Sequence, residues 1–112
     1  MSTEKEKADL LQGTLDMLIL KALQLDAMHG FGLAQRLKQM SGDVFQVEMG
    51  SIYPALVRLE KRGWIKGAWG TSDANRKARY YSVTAAGRKQ LEAERVQWAL
   101  LSGTINAMLK AT

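Results

Sequence analysis

The hydrophobic period changes twice along this chain, and that order constrains the fold more than any other feature. Up to Gly63 the apolar residues recur every three or four positions, the spacing of amphipathic helices. From Trp64 to Val83 the pattern becomes two runs rich in aromatic and β-branched residues around a polar stretch. From Thr84 the helical spacing returns and continues almost to the end. Helices, a hairpin and a last helix must therefore bury their apolar sides against one another.

Leu11, Leu15, Leu18, Ile19, Ala22 and Leu23 predict a first helix from about Leu10 to Leu25. Met28-His29-Gly30 interrupts it, and Phe31, Ala34, Leu37 and Met40 mark a second helix ending near Gly42. Ile52, Leu56 and Leu59 form the apolar side of a third, which runs to Arg62 with Gly63 in the C-terminal cap position. Its start is read with Ser51 as N-cap, or alternatively near Met49, and Pro54 then belongs in a first turn. Trp64-Ile65-Lys66 and Arg79-Tyr80-Tyr81-Ser82-Val83 read as strands joined by turn formers, GTSDANR. Tyr80 and Tyr81 then face opposite sides, with core the reading for both, and Trp64 and Trp69 pack the wing. Thr84 is a candidate N-cap for the last helix, where Trp98, Leu101, Ile105 and Met108 form a coiled-coil-like seam.

Length and composition remove whole function classes. A chain of 112 residues is one domain, with no room for a second catalytic one, and 46% hydrophobic against 24% charged residues is ordinary globular usage. With no cysteine and one histidine, a thiolate or His-rich metal site is excluded. The opening MSTEKEKADL lacks the apolar core of a signal peptide and no run approaches a membrane span, so the expected location is cytoplasmic. No nucleophile with its base, no paired catalytic carboxylates and no Gly-rich phosphate loop can be recognised, so neither an enzyme nor a cofactor is expected. His29 is expected to cap a turn or bond a neighbouring backbone group.

Charge is unevenly spread. Residues 1–30 carry three lysines against five carboxylates, whereas residues 58–89 carry nine cations against two, a net +7 that exceeds the +5 of the whole chain. Such a block is either a solvated face or the footprint of a polyanion such as nucleic acid. Three helices followed by a basic hairpin decide for the second, because that is the order of a winged helix-turn-helix, whose third helix enters the major groove. The fold class is thus mainly α with a small β-hairpin wing: residues 1–84 form the winged helix-turn-helix with its N-terminal helix, and residues 85–112 a C-terminal dimerisation helix in the same structural unit.

The sequence also resembles the PadR-like transcriptional regulators. The resemblance rests on GTLDMLILKAL (Gly13 to Leu23), HGFGLAQRL (His29 to Leu37), GSIYPALVRLEKRGWI (Gly50 to Ile65) and RYYSVTAAG (Arg79 to Gly87). It implies a homodimeric DNA-binding regulator, usually a repressor, of the short type with a single C-terminal helix. Two positions depart from the family pattern: Phe31 stands where tyrosine is frequent, and Ala85-Ala86 where acidic residues would complete a capping box. Ser51, Tyr53 and Arg58 of the third helix and Asn75, Arg76, Lys77 and Arg79 of the wing are the candidate DNA contacts, and Lys61 and Arg62 read as a solvated face. Leu15, Trp98, Leu101, Ile105 and Met108 are the candidate dimer interface. Trp98 also matches a tryptophan that, in some members, stacks on small planar aromatic ligands between subunits. The expected partners are a palindromic double-stranded operator, a second copy of the chain and such a ligand, with no membrane. The competing readings are a winged-helix protein-interaction module, or a ligand sensor that uses the dimer cavity without touching DNA.

Overall fold

Six elements follow one another in the computed structural model, which describes residues 12–112. They are α1 (Gln12–Leu25), α2 (Gly30–Met40), α3 (Met49–Lys61), β1 (Ile65–Thr71), β2 (Lys77–Val83) and α4 (Ala85–Lys110). The expected helical positions Leu10 and Leu11 lie outside the described residues. The core is where α1, α2 and α3 meet the base of the hairpin: Ile19, Leu20, Leu33, Ile52, Leu56, Leu59 and Ile65 are all fully buried there. This is the winged helix-turn-helix that the order of periods implies.

The second helix buries Leu37 and packs Ala34 on the core as its sequence suggests, but the buried side is turned away from Phe31 and Met40 toward Leu33. Leu33 and Leu37 enter the core with Gly30, while Phe31 is 61% exposed and Met40 is also at the surface. His29 caps the helix, its Nδ1 accepting the Gly32 N–H at 3.0 Å. Directly before it, Met28 exchanges two backbone hydrogen bonds with Tyr81, N–H to O at 3.1 Å and 2.8 Å, adding a one-residue bridge on the free edge of the second strand. The period gave no sign of this single bridged residue.

The third helix starts at Met49, with Glu48 as N-cap, so Ser51 is its third residue and not its cap. The Ser51 and Ile52 N–H groups both bond the Glu48 carbonyl. Pro54 therefore sits beyond the first turn and leaves the Gly50 carbonyl without its usual helical donor. At the other end Gly63, at φ +75°, closes a Schellman motif: its N–H bonds Glu60 and that of Trp64 bonds Leu59.

The strands are longer than the aromatic runs alone suggested, pairing from Ile65 with Val83 out to Thr71 with Lys77. Five residues suffice for the turn, because Asn75 accepts a left-handed φ of 60° and donates its N–H to Ser72 at 2.8 Å. Thr84 then joins both ends of the domain. Its hydroxyl donates to the Gly63 carbonyl at 2.6 Å and accepts the Gly87 N–H at 3.0 Å, capping α4 without the acidic half of a capping box. A Cβ at Gly87 would lie 2.0 Å from the Trp64 carbonyl oxygen, so α4 begins where only glycine fits against the backbone that leads into β1. Past Leu91 no residue of α4 is buried, although the helix runs on to Lys110.

Candidate nucleic-acid interface

At 100° per residue, Gly50, Pro54, Val57 and Lys61 lie on the side of α3 opposite Ile52, Leu56 and Leu59, and all four are exposed. Tyr53 and Glu60 flank this stripe on the side of the wing, and Ser51 and Arg58 on the side of α1. The first-turn N–H groups of Met49 and Gly50 have no intrahelical acceptor. The Glu48 carboxylate beside them already complements the positive end of the helix dipole.

Two candidate DNA contacts carry partners that the sequence did not reveal. The Arg58 guanidinium binds Asp16 of α1, Nη2 to Oδ1 at 2.7 Å and Nε to Oδ2 at 3.3 Å, and the Asp16 side chain is only 5% exposed. Arg58 thus ties the third helix to the first, and a phosphate would have to compete with a buried carboxylate for it. Arg79 donates from Nη2 to Glu60 Oε2 at 2.7 Å, tying the wing to α3. That bond raises the Arg79 pKa above its ordinary value, so the side chain stays cationic.

Trp69 does not pack into the wing as expected: it is 64% exposed, with the Lys77 ammonium 5.6 Å and the Arg79 guanidinium 5.9 Å from its ring centre. Arg79 also lies 5.8 Å from the Tyr81 ring and crosses Gly67, where a Cβ would come within 2.5 Å of its Nε. Tyr81 packs against the core, and Tyr80 meets the His29 ring edge-on at 5.2 Å and donates its hydroxyl proton to the Thr71 carbonyl. Trp64 is half-buried on the core, with Arg62 over its ring at 5.1 Å.

Between the wing and the N-terminal turns of α2 and α3 lies an open cleft of about 570 Å³. Phe31, Tyr53 and Trp69 line it together with Arg76, Lys77 and Arg79. Aromatic faces and cations across an open cleft suit a sugar-phosphate backbone, which offers apolar sugar surface and anionic oxygens together. Arg76 and Lys77 are exposed at the rim of this cleft, and Asn75 shapes the turn that presents them.

The second candidate surface is on α4. Trp98, Leu101, Ile105 and Met108 share one stripe and are all exposed. Leu15 does not join them, because at 4% exposure it is taken up by the chain's own core. Trp98 lines two open grooves of about 410 Å³ each between α1 and α4, one with Met17, Leu18 and Leu91 and the other with Gly13, Thr14 and Leu101. No group of side chains able to hold a metal ion occurs among the described residues.

The sequence profile of the transcriptional regulator PadR-like family matches residues 19–93, from the core of α1 through the wing into α4. The chain belongs to this family. It is similar to a PadR-like transcriptional regulator from Bacillus cereus, with 31% identity, a TM-score of 0.79, and coverage of 94% of this chain and all (100%) of that one. It is similar also to a transcriptional regulator from Clostridium thermocellum, with 26% identity, a TM-score of 0.80, and coverage of 88% and 93%. An uncharacterized protein of Lysinibacillus sphaericus is 25% identical over 104 residues, 93% of this chain and 95% of its own.

As a PadR-like regulator the protein works by DNA-binding regulation and not by catalysis. No helix among its described residues is long and apolar enough to cross a membrane. Sequence reasoning passed over Asp16, Val57 and Glu60, and it read Phe31 and Trp69 as packing residues and not as lining of the cleft. A signal existed for Trp69, since a hairpin closing on a five-residue turn places it opposite Arg79. For Asp16, 42 residues from its partner, there was none.

Proposed function

We propose that this PadR-like regulator is a homodimer held through α4 that binds a palindromic operator as a repressor, with release by a small planar aromatic molecule at Trp98 or by another signal. The observation that carries it is the outward side of α3 and the wing, where Ser51, Tyr53, Lys61, Arg62, Arg76 and Lys77 are exposed together. Each α3 enters a major groove with Ser51 and Tyr53 near its leading end, and each wing follows the adjacent backbone with Arg76 and Lys77. Arg58 and Arg79 support this surface through Asp16 and Glu60, and Asn75 through the turn.

Support for the dimer comes from the stripe on α4, which leaves large apolar side chains in water at a cost of about 25 cal/mol for each Å². Support for the ligand comes from Trp98, whose ring borders open grooves on both sides of Met17. The test is a footprint on the DNA upstream of the protein's own gene, followed by gel shifts with altered spacing. Two half-sites about 10 bp apart are expected. Inserting about 5 bp between them abolishes tight binding, because one α3 then meets the far side of the duplex. Binding indifferent to the insertion would refute the paired reading.

A further inference from the structure

We propose, on the basis of the DNA-binding reading above, that Val57 is a base-reading residue that recognises the C5 methyl group of thymine. Val57 is 55% exposed in the middle of α3, on the stripe opposite the core, and among the described residues it belongs neither to the core nor to the side chains packed against it. Its neighbours on that stripe are Gly50, which has no side chain, and Pro54, which has neither a polar side chain nor an N–H. Lys61, at the C-terminal end, is the one hydrogen-bonding side chain of the four.

The usual means of reading a base edge by paired hydrogen bonds are missing from this part of the helix. The segment Met49–Lys61 contains no asparagine or glutamine. Its arginine, Arg58, is turned onto Asp16, and its glutamate, Glu60, onto Arg79. What α3 offers at its centre is hydrocarbon, from Val57 and the Pro54 ring. On the major-groove edges of the four bases the only alkyl group is the thymine methyl. The exposed cations Lys61, Arg62, Arg76 and Lys77 around the stripe favour a polyanion over an apolar protein surface as what covers it. Nothing among the described residues requires a glycine at position 50, since a Cβ there would lie in open space, and its missing side chain leaves the stripe low in front of Val57.

The test uses the full chain and the tightest duplex that it selects from a random-sequence pool. Each thymine is replaced in turn by deoxyuridine, which removes only the methyl group, and binding is measured for the unchanged protein and for Val57→Ala. One thymine in each half-site is expected to weaken binding about fourfold when replaced, and about fifteenfold when both half-sites are changed, as for the loss of one methyl-sized contact each. Val57→Ala weakens binding to the unmodified duplex and is then insensitive to deoxyuridine at those two positions alone. Because the side chain is exposed, the variant keeps the thermal midpoint of the parent. If no thymine loses its effect in Val57→Ala while binding keeps its salt dependence, the inference is overturned and the DNA-binding reading stands. If the chain selects no duplex at all, both fall. A change of oligomeric state in Val57→Ala would place the residue in a protein contact and overturn the inference as well.

Discussion

The α1–α3 core and the outer half of α4 are built from the same kind of residue at the same spacing, yet only one of them is covered. Leu15, Ile19 and Leu23 recur every four positions and are buried, whereas Trp98, Leu101, Ile105 and Met108 recur every three or four and are exposed. The difference is position and not composition. α1 lies between α2, α3, β2 and α4, while α4 beyond Leu91 meets only open grooves along α1 and buries none of its residues. Helical periodicity states that a side of a helix is apolar; what covers that side is decided by where the helix lies.

The largest effect should come from removing the uncovered region. A chain ending at Ala93 keeps Leu91 and with it the described core, so it is expected to remain folded and to be monomeric by light scattering. A stable dimer from that truncation would place the interface elsewhere and break the comparison.

Next in size is a substitution at the junction of the two regions. Gly87→Ala forces a Cβ against the Trp64 backbone and the Val83 side chain, and should lower stability by about 3 kcal/mol in a denaturant titration. A loss below about 0.5 kcal/mol, the size expected of an unremarkable surface substitution, would mean that α4 can pivot at its first turn.

Within the core, Arg58→Ala leaves the Asp16 carboxylate buried without its partner, and a cost of about 2 kcal/mol is expected. Asp16→Asn should cost less, because an amide is easier to bury than an unpaired carboxylate and Arg58 is itself partly exposed. The reverse ranking would show that the pair matters for Arg58 and not for Asp16.

The smallest expected change is in the salt dependence of DNA binding. Replacing Arg76 and Lys77 together by alanine should lower the slope of log K against log salt by about 1.8, or about 0.9 for each lost phosphate contact. Arg79→Ala should change it less, since its charge is already met by Glu60. A fall of the full value of about 0.9 for Arg79→Ala, that of one phosphate contact, would show that DNA displaces Glu60 from Arg79.

Much of the architecture was legible because its causes are local. Ile52, Leu56 and Leu59 marked the buried side of α3, Gly63 its end, and Thr84 the start of α4, each through a period or a cap that acts within one or two turns. The start of α3 was less legible, because Glu48 caps with its backbone alone and its side chain leaves no cap signature. Phe31 was misplaced for a related reason. Position on a helix tells which residues share a side, but the wing cleft, and not the core, receives Phe31 at the edge of that side, while Leu37 and Ala34 meet the core.

The sequence by itself determined the order of elements, the family, the basic character of the third helix and wing, and the apolar stripe on the last helix. These follow from spacing and charge along the chain, which need no knowledge of what lies opposite. Only the tertiary structure decided that Arg58 belongs to Asp16 and Arg79 to Glu60, that Leu15 is core, and that Val57 is exposed on the side of α3 away from the core. An ion pair is chosen by which carboxylate the fold brings within about 3 Å of the guanidinium. That choice is made across distant segments, after the helices have packed.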